Sequence, residues 1–210
     1  RCVLMSYDYS VLAGSQGGMN HKMMDRMFQT AEKLQSPLVL FTEGGGGRAG
    51  GGSRNAIPGK GGSPQISGGG GLNTPSWNLL SKLSGRVPVV GVNAGFCFAG
   101  NAVLLGCCDV IIATENSSIG IGGPAMIEGG GLGVYSPEEV GPMSVQVPSG
   151  VIDIAVKDEA EAVEATKKYL SYFQGPVDDW EANDQRLLRH AIPENRLRVY
   201  DIRQLIETLA

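Results

Sequence analysis

One order of elements occurs twice in this chain, and it limits the fold more than any other feature of the sequence. In each copy a proline precedes a short apolar run, and a glycine-containing loop follows that run. The first copy has Pro37 and the run 38–41, and the second has Pro88 and the run 89–92. Short apolar runs of this kind are typical of strands that are buried on both faces of a parallel sheet. The repeat therefore predicts stacked βα units, an α/β fold, rather than a sandwich.

The remaining elements are predicted from apolar spacing and from capping residues. Asp158 and Asp201 are residues of the type that caps helix N-termini, and Gly85 is of the type that ends a helix. The patterns predict further strands over 110–113 and 151–156, and helices over 20–34, 74–84, 100–107, 158–173, 179–191 and 201–209.

Glycine is concentrated in bursts on an otherwise ordinary globular composition. Fourteen of the 32 glycines lie between residues 43 and 71, and such bursts indicate loops that bend sharply or approach a ligand closely. Within this part, 49–71 is predicted to be a flexible glycine-rich loop. The alternative is a substrate lid that carries Arg54 and Lys60. We predict one domain over 1–175, followed by a helical linker over 176–210.

Charge, hydropathy and cysteine usage exclude several classes of protein. The net charge of −4 argues against a nucleic-acid partner, and no apolar run approaches the ~18–20 residues of a membrane-spanning helix. The four cysteines form no CxxC pair, and the two histidines have no ligand spacing, so no metal is predicted. Reduced thiols indicate an intracellular setting. The chain opens on Arg1, and we expect the true N-terminus to precede it.

The two glycine loops are expected to form a site for an oxyanion. Both follow parallel strands, so they are expected at the carboxyl edge of the sheet, where α/β folds bind ligands. We expect glycine there to leave backbone N–H groups uncovered, and we take Gly45, Gly46, Gly47 and Ala99 as substrate-binding residues. A helix that begins at Gly100 adds free N–H groups at its first turn. Gly100 and Asn101 are the predicted donors, and because only the main chain of Asn101 is needed, Asn101→Ala is expected to do little.

Few side chains are candidates for catalysis. Glu43 and Glu128 adjoin glycine loops, and each is either a general base or, more simply, a hydrogen-bonded loop carboxylate. Cys97 lies beside the predicted donors and is interpreted as a small buried residue. Arg48 is a candidate for holding a phosphate or carboxylate, with a surface salt bridge as the alternative.

Four segments together resemble the carboxyltransferase subunit of biotin-dependent acyl-CoA carboxylases. The resemblance covers nearly the whole chain, is poorest at 49–71, and implies a crotonase-like superhelix of repeated ββα units. The segments are SYDYSVLAGSQGG, LFTEGGGGR, GFCFAGNAVLLGCCDVIIATENSSIGIGGPAMIEGGGLG and RLLRHAIPENRLRVYDIRQLIETLA.

The resemblance also implies a reaction and a site. In that family, carboxybiotin on a separate carrier protein delivers CO₂ to the α-carbon of an acyl-CoA such as acetyl-CoA or propionyl-CoA. Backbone oxyanion holes stabilise the developing charges, and the motif of one hole matches Ala99-Gly100-Asn101 here. The family's Gly-Gly-Arg loop matches Gly46-Gly47-Arg48, and Gly122 and Gly123 are taken as substrate-binding.

The implied partners are the biotin carboxyl carrier protein, biotin carboxylase and further copies of the chain in a homo-oligomer. The resemblance implies that the second hole lies in a C-terminal domain beyond residue 210, so residues 1–210 alone are expected not to carboxylate. The implied location is cytoplasmic, or mitochondrial in a eukaryote.

Three other functions stay open at this point. One is an enoyl-CoA hydratase or isomerase of the same superfamily, which needs a glutamate aimed at the acyl chain, and only Glu128 is a candidate. Another is a biotin-linked decarboxylase. The third, from a different class, is a non-catalytic module that binds CoA or a partner subunit.

Overall fold

The computed structural model describes residues 1–48 and 75–209, and it has seven strands among them. They are β1 Val3–Ser6, β2 Leu38–Phe41, β3 Val89–Asn93, β4 Phe96–Phe98, β5 Val110–Thr114, β6 Ser118–Gly120 and β7 Ile154–Val156. Five of them form a parallel sheet in the order β1-β2-β3-β5-β7, and β4 and β6 form a second, two-stranded parallel sheet. The four predicted strands are present, and the one over 151–156 is shorter than expected. β4 and β6 lie in stretches that the sequence predicts to be glycine-rich loops.

The described helices alternate with these strands. Their bounds are α1 Gly18–Leu34, α2 Pro75–Ser81, α3 Gly100–Gly106, α4 Pro124–Gly129, α5 Met143–Gln146, α6 Glu159–Ser171 and α7 Ile202–Leu209. β3-β4-α3 and β5-β6-α4 are two consecutive ββα units, so the predicted crotonase-like arrangement of repeated ββα units is confirmed.

The large sheet is covered on both faces, which explains why its strands are apolar throughout. On one face, Leu38 and Leu40 of β2 pack with Met24 and Phe28 of α1. On the other face, Val39, Val90 and Ile112 pack with Ala162 of α6, whose N-cap Asp158 accepts a hydrogen bond from the Glu161 N–H at 3.0 Å.

Helix α3 approaches β3 closely because of a glycine in the middle of that strand. A Cβ placed on Gly91 would lie 2.5 Å from Cδ1 of Leu105 and 3.0 Å from Sγ of Cys108. Leu105 is fully buried in a cluster with Cys97 and Ile111. This packing fixes the position of the start of α3, which is the region of interest for function.

The chain divides into two compact units, Arg1–Phe173 and Gln174–Ala210. In the second unit, the predicted helix over 179–191 is wrong in type and length, since a 3₁₀ helix spans only Gln185–His190. None of the described residues of 174–209 is fully buried, so this unit lacks the apolar packing that stabilises a longer helix. The predicted flexible loop over 49–71 lies outside the described residues.

Two further observations bear on the classes that the sequence excludes. Among the described residues, no helix is long and apolar enough to cross a membrane. All four cysteines are free, while the expected intracellular setting stays a prediction.

Candidate active site

The backbone is strained where β4 passes into α3. Ala99 has φ 51° and ψ −123°, a combination that L-residues rarely adopt. Its N–H is held by the Gly120 carbonyl at 3.1 Å. Strain of this kind costs of order 1–3 kcal/mol and is concentrated at functional sites. The sequence gives no sign of it, because alanine does not favour positive φ.

Two N–H groups directly after Ala99 have no hydrogen-bond partner among residues 1–48 and 75–209. The first bond that closes the α3 turn is donated by the Val103 N–H to the Ala99 carbonyl, at 3.0 Å. The N–H groups of Gly100 and Asn101 precede it, and no hydrogen bond within the described residues uses either of them. They are the donors that the sequence predicts, and α3 begins at the predicted residue.

The first glycine loop runs beside this helix start, so the two predicted loops do meet. Gly46 has φ +82°, and a Cβ on it would collide with the Ala99 Cβ and lie 2.9 Å from the Gly100 nitrogen. Glycine is required at 46 both by the positive φ and by this close approach. Gly47 has open space where a Cβ would lie.

The expectation that the first loop leaves its N–H groups uncovered is wrong for three of its glycines. The Gly44 N–H donates to the Phe96 carbonyl at 2.8 Å, and the Gly45 N–H donates to the Ala13 carbonyl at 2.9 Å. The Gly46 N–H donates to Oδ1 of Asn101 at 3.0 Å. This loop is therefore hydrogen-bonded in place, and it forms a wall beside α3 rather than a set of free donors.

The Asn101 side chain makes much of this attachment. It is fully buried, and its Nδ2 donates to the Thr42 carbonyl at 3.1 Å, with longer contacts of 3.4 Å to the carbonyls of Gly14 and Glu43. The carboxamide of Asn101 therefore connects α3 to two loops that are distant in sequence, a structural role that the sequence does not predict. The expected small effect of Asn101→Ala on turnover stays a prediction.

The Arg48 side chain binds Ser15 and forms no salt bridge within the described residues, while its role in holding an anion stays a prediction. Its Nη2 donates to the Ser15 carbonyl at 3.1 Å, and its Nε donates to Oγ of Ser15 at 3.3 Å. Nη1 lies against Gly17, 3.3 Å from the place of a Cβ. Arg48 thus fixes the turn that precedes α1.

Of the other candidate side chains, Glu43 and Cys97 form hydrogen bonds within the protein, and Glu128 is exposed. Oε1 of Glu43 accepts from the Ala94 N–H at 2.6 Å, and burial raises the pKa of Glu43 above its usual range. The Cys97 thiol donates to the Thr42 carbonyl at 3.3 Å, and burial raises its pKa to about 12, so it is not a thiolate at neutral pH. Glu128 is exposed on α4.

Gly123 lies close to the start of α3, whereas no contact of Gly122 with that region is seen among the described residues. Gly123 is the N-cap of α4, and a Cβ on it would lie 3.4 Å from Phe98, the residue before Ala99. The nearest contact of a Cβ on Gly122 would be Ile127, at 3.9 Å. Within the described residues, no group of three or more His, Cys, Asp or Glu is placed to hold a metal ion.

One residue at this site is missing from the sequence-based prediction. Gln16 is only 4% exposed, and its main chain pairs with the first loop through Gln16 N–H to Gly46 O at 2.7 Å and Arg48 N–H to Gln16 O at 2.8 Å. Its carboxamide lies against Gly100, where a Cβ would be 2.7 Å from Oε1. A glutamine in a polar turn gives no signal of such burial.

With this geometry in hand, comparison with known proteins decides the family. The carboxyl transferase domain matches residues 1–210. The chain belongs to the carboxyl transferase domain family. Among curated members it is 31% identical to the uncharacterized carboxylase YngE of Bacillus subtilis strain 168, over 98% of this chain and 40% of the relative.

Two further members have informative names. The chain is 26% identical to the biotin-dependent acetyl-/propionyl-coenzyme A carboxylase beta6 subunit of Mycobacterium bovis, over 100% of this chain and 42% of that protein. It is 53% identical to a solved single-chain, multi-domain long-chain acyl-CoA carboxylase, with a TM-score of 0.75, covering 99% of this chain and 19% of that one. The chain thus spans well under half the length of these carboxyl transferase proteins.

Proposed function

We propose that this chain provides part of an active site that transfers a carboxyl group to the α-carbon of an acyl-CoA. The single observation that carries the proposal is the pair of N–H groups at Gly100 and Asn101, which have no partner in the described part of the chain and follow a strained Ala99. Membership in the carboxyl transferase domain family supports it.

These residues suit an oxygen that gains negative charge during the reaction. Removing a carboxyl group from one carbonyl compound and adding it to another develops charge on carbonyl oxygens, which fixed N–H donors stabilise. Gly46 has no side chain to cover the Gly100 nitrogen, and the buried Asn101 amide holds the Gly46 loop in place. The site is therefore organised before a substrate arrives, which is the condition for such stabilisation.

Biotin and CoA fit this arrangement as a carboxyl donor and an acceptor. Carboxybiotin on a carrier protein, when bound, would supply the carboxyl group. The Gly100 N–H is the group of this chain that would bind a carbonyl oxygen, and the Asn101 N–H is its neighbour on α3. We propose a biotin carboxyl carrier protein, biotin carboxylase and further copies of the chain as partners, with the names of the acetyl-/propionyl-CoA carboxylase subunit and the multi-domain carboxylase as support.

The length of the acyl group is the finer part of the proposal. One relative is named for acetyl and propionyl groups at 26% identity, and another for long acyl chains at 53% identity. The higher identity favours a long-chain acyl-CoA.

The test uses the full-length protein and a carboxylated biotin carrier. We expect labelled carboxyl groups to pass from the carrier to an acyl-CoA, and we expect palmitoyl-CoA to be used with a higher kcat/KM than acetyl-CoA or propionyl-CoA. The absence of transfer to any acyl-CoA would overturn the proposed function. A preference for acetyl-CoA would overturn only the chain length. Hydration of an enoyl-CoA without a biotin carrier would favour the hydratase alternative.

A further inference from the structure

Gln16 connects the two loops of the candidate site, each through a different part of the residue. Its main chain pairs with Gly46 and Arg48 of the first loop, at 2.7 and 2.8 Å. Its carboxamide lies against the backbone of Gly100, close enough that a side chain at 100 would displace it. The lack of a Cβ at Gly100 therefore leaves room for this carboxamide.

The amide nitrogen of this carboxamide is a buried donor. Nε2 of Gln16 forms no hydrogen bond of good geometry within the described residues. The Tyr7 hydroxyl is close enough for a polar contact with the Gln16 side chain, and this contact partly opposes the rise in the tyrosine pKa that burial causes. That hydroxyl donates to Sδ of Met24 at 2.9 Å.

An unpaired buried donor is unusual and needs a reason. The large majority of buried side-chain polar atoms have partners, and each exception costs stability. Leucine or methionine would fill the same space without that cost. A donor without a well-formed hydrogen bond among the described residues, in a carboxamide that lies against Gly100, is suited to a ligand.

We propose that Nε2 of Gln16 is a further hydrogen-bond donor of the active site and binds the carbonyl oxygen that the Gly100 N–H binds. This inference rests on the proposed function and adds a side chain to a site otherwise made of backbone. Oε1 is the carboxamide atom nearer to Gly100, at 2.7 Å from the place of a Cβ against 3.4 Å for Nε2, so the proposed contact requires a half-turn about the Cγ–Cδ bond that exchanges these two atoms. The ligand chemistry is a carbonyl oxygen that gains negative charge, either of an acyl thioester or of a biotin ureido group.

The test is Gln16→Met in the full-length protein, with carboxyl transfer and the thermal midpoint Tm both measured. Methionine keeps the length and most of the volume of glutamine but cannot donate. We expect kcat to fall about 100-fold, the lower part of the range for losing one oxyanion donor. Tm is expected to stay unchanged or to rise, since the protein loses an unpaired donor rather than a bond.

Gln146→Met is the matched control for stability. Nε2 of Gln146 donates to the Ile119 carbonyl at 2.6 Å, so this substitution breaks a bond and is expected to lower Tm. An unchanged kcat in Gln16→Met would overturn the proposal. A fall in kcat accompanied by a lower Tm, as in the control, would also overturn it, because Gln16 would then be a structural residue.

Binding measurements identify which oxygen is bound. If Gln16 contacts the thioester, Gln16→Met weakens the binding of an acyl-CoA but does not change the binding of the thioether analogue, which lacks the carbonyl. If it contacts the ureido group, both CoA compounds bind as in the wild type and biotin binds more weakly. If the wild-type protein shows no carboxyl transfer, the proposed function and this inference are overturned together. If the wild type and Gln16→Met are equally active, only the inference is overturned.

Discussion

The two glycine loops of the site look alike in sequence and differ in what their glycines do. In the loop that holds Gly44, Gly45 and Gly46, the backbone N–H groups are used up by hydrogen bonds inside the protein. At Gly100 no hydrogen bond within the described residues uses the N–H, and the residue follows a strained alanine. Glycine in the first loop permits close packing, and glycine at the start of α3 permits access. A glycine-rich loop therefore indicates close approach, but only the hydrogen-bond pattern shows what approaches.

The largest effect is expected from blocking the free donor. Gly100→Val places a branched side chain beside the Gly100 N–H and against the Gln16 carboxamide. We expect kcat of the full-length enzyme to fall by two to three orders of magnitude, which corresponds to ~3–4 kcal/mol for one oxyanion donor.

Gly106→Val is the control for this substitution on the same helix. A Cβ at Gly106 has open space around it, so we expect kcat within a few-fold of the wild type. Equal activity in the two variants would show that the start of α3 is not the site.

The next effect is expected from cutting the connection between the loops. Asn101→Ala leaves the Gly46 N–H without its partner and removes one of two donors to the Thr42 carbonyl, which keeps the Cys97 thiol. A buried group left unpaired costs ~1–3 kcal/mol, so the free energy of unfolding should fall by about 1–3 kcal/mol. Asn101→Asp should cost more, since it adds a charge beside carbonyl oxygens.

Chemical denaturation of these variants provides the measurement, with Asn78→Ala as the control. Asn78 is exposed on α2, and its loss should change stability by less than about 0.5 kcal/mol. If Asn101→Ala were as stable as Asn78→Ala, the buried amide would not hold the loop.

A similar effect on stability is expected within the first loop, where two adjacent glycines differ. Gly46→Ala meets both a positive φ and a collision with Ala99, whereas Gly47→Ala meets open space. We expect Gly46→Ala to lower the free energy of unfolding by ~1–3 kcal/mol and Gly47→Ala to change it by less than about 0.5 kcal/mol. Thermal unfolding of both variants compares them, and equal Tm values would contradict the close packing described here.

The smallest effect concerns pH and Glu43. Burial raises its pKa in the folded protein, so the ionised carboxylate costs stability at neutral pH. Glu43→Gln keeps an acceptor for the Ala94 N–H and removes the charge. The variant should gain stability above the raised pKa, and the gain should disappear below the ordinary carboxyl pKa of about 4.3, where both side chains are neutral. Denaturation curves across this range test the sign, and a gain that is the same at all pH values would point to packing instead.

The sequence predicts the frame of the molecule because local patterns determine it. The apolar runs 38–41 and 89–92 are strands in the structure, as predicted, and helix α3 begins at Gly100, the predicted residue. The contacts that complete the site are between residues distant in sequence and have no local pattern. Asn101 and Gly46 are 55 positions apart, and neither asparagine nor the polar turn at Gln16 shows its burial in sequence. The strain at Ala99 is set by its surroundings rather than by alanine itself.

The distance in sequence between Asn101 and the loops that it holds also affects when the site forms during synthesis. Asn101 contacts the carbonyl of Gly14, which leaves the ribosome 87 residues earlier. Until the segment with Asn101 emerges, the first glycine loop lacks the amide that holds it. Contacts between distant residues form late and slowly, since the intervening chain must first be ordered. A nascent chain that stalls before residue 101 would therefore carry the β1 and β2 segments without a site between them, a stage at which unpaired strand edges are open to chaperones or to aggregation.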